Sequence, residues 1–316
     1  MKKEGGNLWL RCNHLTTLSL TTLASYPSLA PIHIPPFRTQ IKITTNSAAA
    51  MAIVSALLNF LYPPPPSVVI TAMSAIGLLS LSSAGWMEVK GKNMQYSKLL
   101  RVDDASKAKH RVSSKVGMIA AYTPAFLAGI FSLFAFPLGD LRFTLLRSAI
   151  TTHFFKRLVE VLFVHKYSGF METETMVSIS MSYFLSSSTM IYTQQQMLQL
   201  QEPPIDLKYI GIPLFLVGIG GNFYHHFLLS KLRNKGEKQY KIPQGGLFSL
   251  VICPHYLFEI IGFWGISCIS QTIYSVSVSL GTTFYLIGRS YATRRWYLNK
   301  FEDFPQNVKA LIPFVF

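Results

Sequence analysis

Acidic residues are scarce in this chain: Asp and Glu together number 14 in 316 residues. Charged residues of both signs make up 14%, against about 25% in an ordinary soluble domain. That shortage argues against a soluble enzyme. Disorder is excluded from the other direction, because disordered chains are poor in aromatics and this one has 23 Phe and 15 Tyr. Cysteine is nearly absent. Cys12, Cys253 and Cys268 form no CxxC and no Cys/His spacing suited to zinc, so neither a disulfide framework nor a zinc finger is available. Walker, HExxH and ordered Ser/His/Asp patterns are also missing, which leaves nucleophilic and metal-assisted hydrolysis without support.

What the chain does have is hydrophobic length. Half of its residues are hydrophobic, and several apolar stretches reach the length that crosses a bilayer. The spacing predicts an all-α, polytopic membrane protein with about seven transmembrane helices. The spans run over 67–86, 116–136, 143–165, 176–193, 209–229, 246–270 and 273–291. Pro63 to Pro66 close a short apolar run before the first span, since four prolines cannot continue a helix. Residues 1–50 differ from the rest: five Lys/Arg, one acid and many Ser/Thr. They read either as a transit-peptide-like extension or as an upstream segment before a working protein that begins at Met51.

Lys and Arg exceed the acids by 15. In a soluble protein such an excess would suggest nucleic acid. Here it sits in loops: eight Lys/Arg against three acids over 88–115, and five against one over 231–241. Basic loops face the cytosol. With seven spans, parity then puts the C-terminus in the cytosol too.

Ionisable groups inside a span are expensive and face a cavity or each other. In the third span His153, Lys156, Arg157 and Glu160 share one face of a helix at about 100° per residue. They read either as an ion-pair cluster between helices or as the polar wall of a buried site. Two cations against one carboxylate leave positive charge for an anionic ligand. Gly218 to Gly221 resemble half of a dinucleotide fingerprint, but the sixth position is Phe223 and the context is a membrane helix. These glycines instead permit close helix packing. His225 and His226 are adjacent, so they point apart on a helix, and no third metal ligand is placed. Pro254 and His255 fall inside the sixth span, and His255 and Glu259 are i,i+4 neighbours able to share a hydrogen bond.

Several ordered motifs along the last hundred residues carry a family resemblance. They are Asn222, KLR at 231–233, YKIPQGGLF at 240–248, PHYLFE at 254–259, Arg289, WYLNKFEDFP at 296–305 and the terminal KALIPFVF. Together they resemble the C-terminal domain of the steroid 5-alpha-reductase (3-oxo-5-alpha-steroid 4-dehydrogenase) family. HFFKRLVEVLFVH at 153–165 is similar to its trans-2-enoyl-CoA reductase branch. The start at Met51 and AGWMEVKGKNMQYSK at 84–98 resemble plant members. Residues 1–50 have no counterpart in that pattern.

The resemblance implies a membrane reductase over 51–316, with its signature region at about 209–316. It implies NADPH bound from the cytosolic side, and reduction of a carbon–carbon double bond conjugated to a carbonyl in a steroid or long-chain enoyl-CoA. A branch acting on polyprenols also exists. By position it implies cofactor contacts at Asn222, Arg233, His255, Glu259, Arg289 and Tyr297. His255 stands where the steroid reductases have Asn, and His226 where they have Asp. Those enzymes grip the substrate ketone with a Glu and a Tyr; the matching positions here are Tyr122 and Phe154, so that pair is not retained. Tyr122 or His153 is then the expected hydrogen-bond donor, with Lys156 or Arg157 assisting. The expected partners are a hydrophobic lipid substrate and the bilayer, not nucleic acid, with a complex of lipid-synthesis enzymes also in view. The expected membrane is the endoplasmic reticulum, or a plastid membrane if residues 1–50 direct the chain there. Two alternatives stay open: a family member that has lost catalysis and binds lipid or partners, and a transporter or channel.

Overall fold

The computed structural model describes residues 52, 54–65, 67–100, 110–136, 140–232 and 239–316. The expectations for residues 1–50 lie outside the described residues. The fold is mostly helical. Its main helices are α1 (Val68–Val89), α2 (Ser114–Ala135), α3 (Leu141–Val159), α4 (Thr173–Met197), α5 (Lys208–Lys231), α6 (Pro254–Ser270) and α7 (Ile273–Lys300). Each falls on one of the apolar runs. A two-stranded antiparallel ribbon, β1 (Arg111–Ser113) with β2 (Phe170–Glu172), qualifies the all-α expectation.

Helices α1, α2 and α5 are long and apolar enough to cross a membrane by themselves. The others fall short for visible reasons. α3 carries Arg142, Arg147, Lys156 and Arg157; α4 is rich in Ser, Thr and Gln; α6 has only 17 residues; α7 carries Ser, Thr and Arg289 along its apolar part. Such helices need partners to shield their polar groups.

Two helix starts show local chemistry at work. The hydroxyl of Ser113 accepts from the Val116 N–H at the head of α2, and the Asp140 carboxylate accepts from the Phe143 N–H at the head of α3. Both satisfy donors that a helix N-terminus leaves open.

The sixth span corrects an expectation. Residues 246–249 form a short 3-10 turn, and α6 begins only at Pro254. Pro254 therefore stands in the first turn, where its missing N–H leaves no helical bond unmade. It is not an interruption inside the helix. Residues 250–253 instead pair with the C-terminal tail: the Ile252 N–H donates to Lys309 O at 2.9 Å, and the Cys253 N–H to Ala310 O at 3.2 Å.

The closest packing joins α5 to α6 and α1 to α7. At Gly218 a Cβ would overlap the backbone of Gly262, and at Gly288 it would overlap that of Gly85. Gly221 faces the Phe258 ring, whereas Gly220 faces open space.

The two ends of the bundle separate cleanly. One end holds the β1–β2 ribbon and the clasp of 250–253 with the C-terminal tail. The other holds an ionic knot. There Arg142 donates to Asp206 at 2.7 Å, to Glu202 at 3.2 Å, and to Ile269 O and Gln271 Oε1. Lys208 pairs with both carboxylates. The Arg142 guanidinium beside Glu202 holds that carboxyl below its ordinary value. Burial works the other way on Asp206, but hydrogen bonds from the Lys208 ammonium and backbone N–H outweigh it.

Candidate functional site

The third span does gather its polar residues. Glu160 is fully buried and takes Lys156 at 3.0 Å and Arg157 at 2.9 Å. His226 from α5 reaches the same carboxylate at 3.0 Å. Glu160 opens a five-residue π turn, Glu160–Val164, that continues α3. Such turns widen a helix locally and recur at functional sites. The other Arg157 nitrogen donates to the hydroxyl of Tyr122, and Lys156 donates to Asn222 Oδ1. Asn222 in turn donates to His255 O at 2.7 Å and to Glu259 Oε2 at 3.4 Å. One chain of polar contacts thus links α2, α3, α5 and α6. His255 and Glu259 do not share the expected bond: His255 Nδ1 has no hydrogen-bond partner among the described residues. At i,i+4 they are neighbours, but Asn222 inserts between them from α5.

Two cavities adjoin this network. The first, of about 380 Å³, is lined mainly by apolar groups of α1, α4, α6 and α7, and His153 lies in its wall. His153 is buried against Phe154 and Phe263, with ring centroids 4.9 and 5.0 Å away. The second, of about 270 Å³, is the more polar of the two. Its wall includes Lys98, Arg157, Lys166 and Lys241 against the single acid Glu259, together with Tyr122, His226, His255 and Tyr297. Tyr96, Tyr183, Glu259 and Tyr285 line both. Ile179 and Leu286 line both as well, so the two chambers meet at a wall whose polar members are three tyrosines and one carboxylate.

The residues expected to hold a cofactor divide three ways. His255, Glu259 and Tyr297 line the polar chamber. Asn222 and Arg289 line neither chamber and brace the wall from behind. Arg289 donates to Glu88 at 2.8 Å, to Met94 O at 3.2 Å and to Tyr96 O at 3.3 Å, and so holds the segment that presents Tyr96. Arg233 lies outside the described residues. Of the expected donors, Tyr122 and Arg157 face the polar chamber and His153 the apolar one.

Sequence reasoning missed Tyr96, Tyr183, Tyr285 and Glu88. Glu88 reads as one acid in a basic loop. The three tyrosines lie on separate elements, and although Tyr96 falls within the 84–98 segment no local pattern joins it to the other two, so their convergence is a tertiary fact. Glu160, His165 and His226 also place donor atoms within 4.8 Å of one another. Lys156 and Arg157 already neutralise that carboxylate, and their charge repels a divalent cation, so this cluster is a poor metal site.

The donor set suits a phosphorylated nicotinamide cofactor. Four cations against one acid favour phosphate groups. Two buried nitrogens on polar-chamber residues, His255 Nδ1 and Arg157 Nε, lack partners among the described residues, and such orphans are expensive unless a ligand meets them.

Comparison with known proteins supplies a family. A family profile described as 3-oxo-5-alpha-steroid 4-dehydrogenase matches residues 143–316, reaching well above the last hundred residues. The human 3-oxo-5-alpha-steroid 4-dehydrogenase 2 is 38% identical over 112 residues, 35% of this chain and 44% of that protein. The very-long-chain enoyl-CoA reductase of Dictyostelium discoideum is 33% identical over 165 residues, 52% of this chain and 55% of that one. Steroid 5-alpha-reductase DET2 of Gossypium hirsutum is 40% identical over 107 residues, 34% of this chain and 41% of its own. The chain spans about half the length of these relatives.

Proposed function

Because the chain belongs to the 3-oxo-5-alpha-steroid 4-dehydrogenase family, we propose that it is an NADPH-dependent membrane reductase. Its substrate is a lipid, a steroid or long-chain enoyl-CoA, with a carbon–carbon double bond conjugated to a carbonyl. The observation that carries this is the common wall of an apolar and a basic chamber, whose polar members are Tyr96, Tyr183, Glu259 and Tyr285. A reductase of this kind has to bring a water-soluble, phosphate-bearing molecule and an apolar one into contact while excluding water.

NADPH held in the polar chamber would supply a hydride to the β-carbon of an acceptor in the apolar one. Lys98, Arg157, Lys166 and Lys241 offer charge-assisted bonds to its phosphates, with Arg233 joining them. His255, Glu259 and Tyr297 border the same space. Asn222 and Arg289 keep Glu259 and Tyr96 in place. As the carbonyl oxygen gains negative charge, a preorganised donor lowers the barrier; each is worth roughly 3–4 kcal/mol in a dry site. His153 takes that role from the apolar side. A proton must also reach the α-carbon, and Tyr122 would supply it from the polar side: Arg157 donates to its oxygen, which leaves its own proton to give. The reaction leaves NADP and a saturated carbonyl compound.

We place the protein in the endoplasmic reticulum, with a plastid membrane as the alternative if residues 1–50 act as a transit peptide. A complex with other lipid-synthesis enzymes fits that setting. The test is NADPH oxidation by membranes carrying residues 51–316, with product masses determined. The acceptors are a 3-oxo-4-ene steroid, a long-chain trans-2-enoyl-CoA and a polyprenol. Turnover of one class, lost in a Glu259→Gln, Tyr297→Phe protein, is expected. NADPH binding without oxidation by any acceptor would instead favour a catalytically diverged, lipid-binding member.

A further inference from the structure

An acceptor that receives hydride across the wall between the chambers needs its carbonyl oxygen met at that wall. Six residues line both spaces; Ile179 and Leu286 are apolar, and of the four polar ones three are already occupied. Tyr96 and Tyr285 hydrogen-bond each other at 3.3 Å, and the Tyr285 hydroxyl also reaches Met94 Sδ at 3.3 Å. The Glu259 carboxylate accepts from Asn222.

Tyr183 is the fourth. It lies in the middle of α4 and lines both chambers. Its ring is fixed on two sides, with the Tyr122 centroid at 5.5 Å and the Phe154 centroid at 5.3 Å. Among the described residues no hydrogen bond engages its hydroxyl. Tyr183 is half-buried, and the O–H of a tyrosine packed in this way is available to a hydrogen-bond acceptor that enters the chambers. A ring held rigidly with its one polar atom unspent, at the junction of an apolar and a basic space, is the arrangement a preorganised donor requires.

We infer that Tyr183 is a catalytic residue that donates a hydrogen bond to the carbonyl oxygen of the acceptor, alongside His153. This rests on the reductase function proposed above and adds a group to it. Tyr183 keeps its proton: it stabilises the charge on oxygen, while the proton that completes the product goes to the α-carbon.

The test is Tyr183→Phe in the full chain, which removes one oxygen and keeps the stacked ring. If the inference holds, kcat falls about a hundredfold, and the KM for NADPH stays within about twofold. A second readout needs neither cofactor nor turnover. The infrared carbonyl stretch of a 3-oxo-4-ene steroid bound to the cofactor-free protein should lie at lower frequency than in hydrocarbon. In Tyr183→Phe that displacement should shrink. An unchanged carbonyl band together with an unchanged kcat would overturn the assignment while leaving the reductase function standing. A displaced band lost in the variant, from a wild-type protein that turns over no acceptor, would uphold the donor and overturn the reductase function.

Discussion

Glu160 shows how much a single residue can hold. It is fully buried and is reached by Lys156, Arg157 and His226 at 2.9–3.0 Å. Removing one partner of a buried ion pair leaves the others uncompensated, at roughly 3–5 kcal/mol. Glu160→Gln removes the charge and keeps the shape. Its expected outcome is a loss of stability of that order, visible as a lower midpoint of thermal unfolding in detergent. NADPH binding should weaken as well, because Arg157 loses the contact that aims it. A midpoint within a degree of wild type would show that the cluster is not what ties α3 to α5. Its spacing was plain in the sequence, since an i,i+3 and i,i+4 set repeats the helical period. Its partner His226 was not, because nothing local ties residue 226 to residue 160.

Among elements, the tightest pairing is α5 on α6. Gly218 and Gly262 bring the two backbones together without side chains between them. Membrane helices associate through such small-residue contacts, since lipid provides no hydrophobic force between them. A Gly218→Val substitution has no room beside the Gly262 backbone, so the pair must separate. Overpacking of this kind typically destabilises by about 1–3 kcal/mol. The displaced α5 would carry Asn222 away from His255 and Glu259. Gly220→Ala is the control, since its position faces open space. Folded yield from size-exclusion chromatography should fall for Gly218→Val and hold for Gly220→Ala; equal yields would refute the close packing. Element boundaries were less legible. The apolar run at 246–253 looks like helix by composition, yet its backbone bonds go to the C-terminal tail. No window confined to 246–270 contains that partner.

At the scale of the whole molecule, the connections sort by end. The β1–β2 ribbon joins the loops after α1 and α3, and the tail clasps the loop after α5. Arg142, Glu202, Asp206 and Gln271 join the head of α3 to the loops after α4 and α6 at the opposite end. Seven crossings would produce that partition, and we propose from the basic loops that the first end is the cytosolic one. A glycan-acceptor tag after Phe316 should therefore stay unmodified in microsomes. The same tag inserted at 198–201, between α4 and α5, should be modified. Modification of the C-terminal tag would reverse the orientation, and identical behaviour of both tags would break the parity.

Composition and periodicity alone determined that this chain is helical and built for a membrane. The reason is physical: a bilayer demands long apolar runs with internally bonded backbone, and both properties are written in consecutive residues. The ordered C-terminal motifs likewise identified the family. Only the tertiary structure decided which polar groups share a chamber. Tyr96, Tyr183, Glu259 and Tyr285 come from three helices and a loop, and they meet because α1, α4, α6 and α7 pack around common spaces. Packing relates residues by distance in space, which a one-dimensional pattern does not record.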